Sequence, residues 1–290
     1  MPNSLTNSDL RLSQEFAQLT QLFRDGSVAM LTGAGLSTDS GIPDYRGPNS
    51  TPRKPMTYQE FLADSKFRSH YWARNHVGWR HMTAVQPNPG HRALVDLERA
   101  GLVAGIITQN VDTLHQRAGS SNVIDLHGSF DRVICIDCRT VISRQSMDTR
   151  LHALNPDFLA ELGELDDVEI APDADAVIEK TAHFVVADCE RCGGMLKPDV
   201  VYFGEPVPKD RVERSFGMVD SASALIVAGS SLTVHSGLRF ARYAVKLGKP
   251  VAIINQGPTR ADTIASLIWD MGTSQALTAL AQEFTQGTHT

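Results

Sequence analysis

Four cysteines stand in two C-x-x-C pairs, Cys135 with Cys138 and Cys189 with Cys192, and no other cysteine is present. Two such pairs with none left over suit a tetrahedral zinc site of four thiolates, each pair forming a small knuckle around the metal. The gap from Cys138 to Cys189 is longer than common ribbon spacing, which keeps disulfides and a thioredoxin-like redox pair in view. The stretch Met1–Leu19 lacks the basic and apolar regions of a secretory signal, which counts against disulfides, and duplication of the motif counts against a redox pair. A closed shell of four thiolates leaves no open coordination position, so the metal would hold structure and do no chemistry.

A second group of residues carries proton and anion chemistry. His127, followed by Gly128, ends the apolar run Val123–Leu126, and an imidazole is the side chain best matched to general-base work near neutral pH. A lone histidine at that place also reads as a packed or capping residue. Asn110 and Asp112 alternate around Val111, placing both on one side of an extended segment; an N-cap for the following helix fits the same spacing. His115 reads as a structural hydrogen-bonding residue on that helix. Residues Leu31–Gly47, LTGAGLSTDSGIPDYRG, form a glycine-rich loop at the end of an apolar run. A break at Gly33-Ala34-Gly35 brings backbone N–H groups where phosphate oxygens can approach without meeting a Cβ; a tight strand-to-helix turn explains the glycines equally well.

These residues need elements to position them. Short apolar runs at Val28–Thr32, Val103–Thr108, Val123–Leu126, Leu225–Ala228 and Val251–Ile254 alternate with helical patterns, the signature of a parallel, doubly wound α/β sheet. Each run ends in small or polar residues. Right-handed crossovers would gather Gly33 and Gly35, Gln109 and Asn110, His127, Gly229 and Ser230, and Asn255 at one carboxyl-edge crevice. Two segments interrupt the alternation. Residues 48–98 carry prolines and then helices over Tyr58–Leu62 and Lys66–Trp79, a helical insertion; residues 131–197 hold the cysteines, a small metal-binding module. The sheet domain is expected over 1–47, 99–130 and 198–290. The acidic stretch Asp157–Glu179, without Lys or Arg, reads as a solvated run.

Composition narrows the function classes. The chain has 290 residues, 42% hydrophobic and 21% charged, with a formal net charge of −6. Mild acidity argues against tight nucleic-acid binding, which needs a basic face. No apolar run approaches bilayer-spanning length, so no membrane partner is expected, and a reducing, cytoplasmic setting is the default. The loop G-A-G-L-S-T lacks the third glycine of the G-x-G-x-x-G fingerprint, which sets the chain apart from hydride-transferring dehydrogenases.

Taken together, GAGLSTDSGIPDYRG, the segment Thr108-Gln109-Asn110-Val111-Asp112-Thr113-Leu114-His115, His127-Gly128, the two C-x-x-C pairs, Lys197-Pro198-Asp199-Val200-Val201-Tyr202-Phe203-Gly204-Glu205, Gly229-Ser230-Ser231-Leu232 and Asn255 resemble the sirtuin family of NAD-dependent protein deacylases. Tyr71-Trp72-Ala73-Arg74-Asn75 and Val234-His235-Ser236-Gly237 resemble its class II members. The resemblance implies a Rossmann-like NAD-binding domain, one structural zinc, and NAD as co-substrate. It implies that the carbonyl oxygen of an acylated lysine attacks the nicotinamide ribose, after which His127 activates a ribose hydroxyl toward the resulting imidate. Asn110 would contact the ribose and Asp112 the nicotinamide carboxamide. It assigns further NAD contacts to Gly33, Ala34, Gly35, Thr38, Asp44, Tyr45, Arg46, Gln109, Gly229, Ser230, Ser231, Asn255, Gln256, Gly257 and Thr273. Tyr45 stands where many relatives carry Phe, and would screen the reacting ribose from water.

For the acylated protein or peptide, the strand-like run Val200–Glu205 resembles the family's docking edge, to which an extended peptide could add as a strand. Val200, Val201, Phe203, Gly204 and Glu205 are its candidate contacts. Tyr71 and Arg74 share a helix face, and the same Tyr-x-x-Arg arrangement occurs in the sirtuins that remove succinyl-type groups. An Arg74 guanidinium toward an acidic acyl chain is one expectation, an ordinary ion pair the other. Mono-ADP-ribosyl transfer and a non-catalytic NAD or ADP-ribose sensor are the alternative functions.

Overall fold

A computed structural model of the chain describes residues 13–45, 55–162 and 181–285. Arg46, Pro48, Pro52 and most of the acidic stretch, residues 163–180, lie outside the described residues. Six strands, β1 (Val28–Thr32), β2 (Val103–Thr108), β3 (Val123–Asp125), β7 (Leu225–Ala228), β8 (Val251–Ile254) and β9 (Leu267–Trp269), form a parallel sheet in the order β3-β2-β1-β7-β8-β9. Three more, β4 (Gly128–Cys135), β5 (Val141–Ser143) and β6 (Leu196–Val200), form an antiparallel sheet in the order β5-β4-β6.

The five apolar runs each form a strand of the large sheet, as expected, because strands covered on both faces can be apolar throughout. Their side chains alternate between two layers. Met30, Ile106 and Ile226 face α1 (Gln14–Asp25), α4 (Pro89–Arg99) and α10 (Thr273–Thr285); Leu31, Ile107 and Val227 face α8 (Lys209–Ser221) and α9 (His235–Lys246). The sixth strand, β9, is not legible in the sequence: it is three residues long at the sheet edge, with only Trp269 buried. From β1 the chain builds outward through β2 and β3, then crosses to β7 on the other side of β1. The order reverses there, and a crevice opens at the carboxyl ends of β1 and β7.

The smaller unit packs the antiparallel sheet against α2 (Tyr58–Ala63), α3 (Ser65–Ala84), α6 (Arg144–Leu154) and the short α7 (Phe158–Leu162). Helix α2 starts at a capping box in which Thr57 and Glu60 satisfy each other's backbone. Helix α3 runs five residues past the expected Trp79, starting from an Asp64 cap. Residues 71–79 are buried on nearly every side, whereas Arg80, His81, Thr83 and Ala84 in the last turn are exposed, so no apolar period carries the helix past Trp79. Trp72 is fully buried and its Nε1 donates to the Leu196 carbonyl at 3.2 Å. One core joins Phe61, Tyr71 and Trp72 of the helical segment to Cys135, Cys189 and Leu196 beside the cysteine cluster.

The expected strand over Val200–Glu205 ends at Val200. Beyond it the chain hooks back: Tyr202 N donates to Glu205 Oε2 at 3.0 Å and Glu205 N donates to the Tyr202 carbonyl at 3.0 Å. Lys197, buried on β6, holds the hook from below, donating to the Val200 carbonyl at 2.6 Å and reaching Glu205 Oε2 at 3.2 Å. A buried ammonium needs such acceptors, and it recruits them from the segment that follows its own strand.

Candidate active site

A cleft of about 790 Å³ lies at the crevice, between the carboxyl edge of the large sheet and the hook after β6. At its floor the glycine loop packs on the β7 tip. Gly33 N donates to the Ala228 carbonyl at 3.1 Å and Gly35 N to the Gly229 carbonyl at 2.9 Å. Gly229, at φ +66°, leaves no room for a Cβ against Leu36 N and the Gly35 carbonyl carbon. The loop then makes two short 3-10 turns, Ala34–Leu36 and Thr38–Ser40. Two of the three amides expected to face phosphate are thus spent on the neighbouring loop; the Ala34 N–H takes no part in these bonds. The glycines serve close packing of two strand tips as well as access.

Beside this floor runs a buried hydrogen-bond chain. Asn110 Nδ2 donates to Ser37 Oγ at 3.1 Å and to the Gly33 carbonyl at 3.0 Å, and Ser37 donates to Asp112 Oδ2 at 2.7 Å. The other oxygen of Asp112 accepts Leu114 N at 2.9 Å, but the N-cap position of that helix is Thr113, so Asp112 braces the turn into the helix from one residue before the cap. Burial raises the Asp112 carboxyl above its ordinary value, and the bonds from Ser37 and Leu114 oppose that rise. Thr113, at φ +61°, makes the turn into α5 (Leu114–Ala118). His115 on α5 is buried, with Nε2 2.9 Å from Thr32 Oγ1, behind the cleft, in the structural position expected of it.

His127 stands between the two sheets. Its Nδ1 lies 3.0 Å from the Gln109 carbonyl oxygen and its Nε2 2.7 Å from Ser236 Oγ. A carbonyl only accepts, so Nδ1 carries the proton and Nε2 presents its lone pair. Burial is the main cause that holds the imidazole down to about 4; the Gln109 carbonyl opposes it, and the charges of Arg211 and Arg239 add to it. The ring is therefore neutral at physiological pH, its Nε2 lone pair facing the Ser236 hydroxyl at the cleft wall.

The cleft brings together most of the residues singled out in the sequence. Gly33, Ala34, Gly35, Asp44 and Tyr45 line it from the first loop, Gln109, Asn110 and Asp112 from the β2 tip, and Gly229, Ser230 and Ser231 from the β7 tip. Asn255, Gln256 and Gly257 line its far end, where Asn255 Nδ2 braces the turn by donating to the Gln256 and Gly257 carbonyls at 3.0 Å. Ser230 already donates to Gln109 Oε1 at 2.6 Å. Val200, Val201, Phe203, Gly204 and Glu205 line the side facing the small unit, and Tyr45 meets the Phe203 ring edge-on at 6.3 Å.

Four residues are placed elsewhere. Thr38 and Thr273 lie behind the floor and donate to the Gly35 carbonyl at 3.1 and 3.3 Å. Tyr71 is buried among Phe61, Trp72 and Tyr202, and Arg74 sits 3.2 Å from His70 Nε2; neither borders the cleft. Others line it without having been singled out: Ser37, Ile42, Met56, Ser236 and Arg239. Ser37 lies inside the quoted loop, but nothing in the sequence says that its hydroxyl would link Asn110 to Asp112.

The cysteines meet at the far end of the small unit. All four Sγ atoms lie within 4.8 Å of one another, with Cys135–Cys192 at 3.6 Å and Cys138–Cys189 at 3.7 Å. Disulfide sulfurs would sit at about 2 Å. A tetrahedron of sulfurs about 2.3 Å from zinc has edges of about 3.8 Å, which these distances match.

Fold and site together define a doubly wound α/β protein with a switch-point cleft, a neutral imidazole at its wall and a separate four-cysteine unit. The sequence profile of the Sir2 family matches residues 33–236. The chain is 55% identical over 269 residues to an NAD-dependent protein deacetylase 1 of Mycobacterium avium (strain 104), covering 93% of this chain and 95% of the relative. It is 47% identical over 245 residues to an NAD-dependent protein deacylase SIR4 of Monosiga brevicollis, covering 84% and 80%. Among solved structures, one described as "Sir2-p53 peptide-NAD+" superposes with a TM-score of 0.68 at 29% identity, covering 94% of this chain and 100% of that one. The chain belongs to the Sir2, or sirtuin, family.

Proposed function

We propose that the chain is an NAD-dependent protein lysine deacylase, which moves the acyl group of an acyl-lysine to ADP-ribose and releases nicotinamide. The observation that carries this reading is His127: a neutral imidazole that borders the cleft, with its Nε2 lone pair held by Ser236 Oγ, where a dinucleotide can lie on one side and a peptide on the other. The relatives' names and the solved complex with peptide and NAD+ support it.

In this reading Gly33, Ala34, Ser230 and Ser231 border the phosphates, and Asn255, Gln256 and Gly257 the adenosine end. Asn110 holds the nicotinamide ribose and Asp112 the carboxamide, each oriented by Ser37. The phosphate charges bring opposite charge into the cleft, which favours the imidazolium that forms when His127 takes a proton. Val200–Glu205 receives the peptide backbone, and Val200, Phe203, Ile42 and Met56 are the apolar walls along the acyl chain. Cys135, Cys138, Cys189 and Cys192 would hold one zinc ion, which supplies a fixed cross-link to the small unit and no chemistry. Thiolate ligands need a reducing setting, which supports a cytoplasmic location.

Nicotinamide release measured with and without an acetyl-lysine peptide tests the reading, with O-acetyl-ADP-ribose as the diagnostic product. His127→Ala should lower its formation by ~10²–10⁴. Peptide-independent NAD cleavage, or a His127→Ala variant of native rate, refutes the assignment.

A further inference from the structure

The base is not free to meet its substrate. Ser236 Oγ lies 2.7 Å from His127 Nε2, and since Nδ1 carries the proton, the serine hydroxyl donates to the one lone pair that catalysis needs. Both groups border the cleft. Ser236 is in the first turn of α9, and that turn is held unusually close: a Cβ on Gly237 would come 2.6 Å from Gln109 Nε2. Gln109 in turn supplies the carbonyl that fixes the other imidazole nitrogen. The ring is therefore clamped between the β2 tip and the first turn of α9, with the Ser236 hydroxyl on Nε2 and both side chains at the cavity wall.

We propose that Ser236 relays the proton from the attacking ribose hydroxyl to His127, a catalytic role that rests on the deacylase reading above. The hydroxyl of Ser236 donates to Nε2 and keeps two lone pairs with which to accept the ribose O–H. In the step, the ribose proton passes to Ser236 Oγ while the Oγ–H proton passes to Nε2. The electron pair left on the ribose oxygen forms the bond to the acyl carbon while the C=N π pair of the imidate withdraws to the lysine nitrogen, so the adduct becomes neutral and the positive charge resides on the imidazole. Ser236 ends as it began. The charged groups facing the ring, Arg211 from α8 and Arg239 from α9, both oppose the imidazolium. A relay keeps the proton transfer short in a site where the ring itself is held fixed.

The test compares native enzyme with Ser236→Ala and Ser236→Thr. Exchange of labelled nicotinamide into NAD in the presence of an acetyl-lysine peptide needs only the first step, so Ser236→Ala should keep it within about twofold. Formation of O-acetyl-ADP-ribose by the same variant should fall about tenfold or more, and Ser236→Thr should restore it. In the ligand-free protein, ¹⁵N NMR of His127 should show its titration moving up by about half a pH unit to one in Ser236→Ala, because a bond to the neutral form is lost. Exchange and acyl transfer falling together, neither falling, or an unmoved titration would each overturn the relay. A native enzyme that gave no exchange would instead refute the deacylase reading, and the relay with it, while the titration would still report the Ser236–His127 bond.

Discussion

Acidification from about pH 7 to pH 5 should cost this fold several kcal/mol, through histidines that it keeps neutral. His91 and His127 are each held at about 4, both mainly by burial, with the Arg92 charge adding to the effect on His91. Unfolded, each titrates near 6.5. Between those values the unfolded chain binds more protons than the folded one, so stability falls with pH across that window. It stops falling below about 4, where the folded histidines charge as well. At pH 5 a group of pKa 6.5 gains about 2 kcal/mol by protonation and a group of pKa 4 gains about 0.1, so each histidine costs the fold about 2 kcal/mol. His115, lowered well below its ordinary value mainly by burial, acts in the same sense. Asp112, Asp125 and Asp131 oppose them: burial raises all three, and the folded state takes up their protons first as pH falls. His91 lies outside the cleft, so His91→Gln isolates one contribution without touching the chemistry. Urea unfolding followed by circular dichroism at both pH values gives the comparison. The stability gap between native and His91→Gln should narrow by about 2 kcal/mol from pH 7 to pH 5. A variant that loses stability with pH as steeply as the native protein would refute the reasoning.

Two further perturbations bear on the small unit. Chelation of zinc, or Cys135→Ser, removes a cross-link of roughly 10 kcal/mol or more and should unfold the antiparallel unit; metal content, near-ultraviolet dichroism and acyl transfer should fall together, and a metal-free protein with a native spectrum would contradict it. Lys197→Met leaves Glu205 without its buried cation and should cost about 3 kcal/mol, read as a fall in Tm, and should raise KM for peptide more than for NAD. Combined with Glu205→Gln it should cost less than the sum of the two; additivity would count against the pair.

The large sheet is legible in the sequence because its five apolar runs are only four to six residues long and stop at small or polar residues, a pattern that suits doubly covered parallel strands. Val28–Thr32 and Leu225–Ala228 need nothing else. β9 is hidden by its length and half-exposed edge position, and the last turn of α3 by its polar, mostly exposed residues, which carry no apolar period past Trp79. The cysteine pairs are legible because metal ligation fixes residue type and local spacing. The bonds that tune the cleft are not. Ser37 donating to Asp112, and Ser236 donating to His127, join segments far apart in sequence, and a serine carries no pattern that names its partner. Tyr71 and Arg74 fail in the opposite way: their helical spacing is right for a shared face, but that spacing says nothing about which cavity the face borders.

The zinc unit and the chemistry are coupled through one pair of strands. Cys135 is the last residue of β4 and His127 immediately precedes its first; Cys189 and Cys192 lead into β6, and Val200 is its last residue. β4 and β6 pair antiparallel, with Cys135 opposite Leu196 at the metal end and Gly128 opposite Val200 at the cleft end. There Val201 N donates to the His127 carbonyl at 2.7 Å. His127 and Val200, the base and the start of the peptide edge in the proposed reading, are thus the two tips of a ladder whose other end is clamped by the cysteines, about 13 Å away from Leu196 to Val200. The pairing slips between Gly128 and Val133, so the ladder's hydrogen bonds alone do not lock the two tips in register. The Val201–His127 bond supplies the remaining constraint between the tips, and Lys197 ties the end of β6 to the hook. In the proposed reading, a metal with no open coordination site therefore controls a reaction it never touches, by fixing where His127 stands relative to the end of β6.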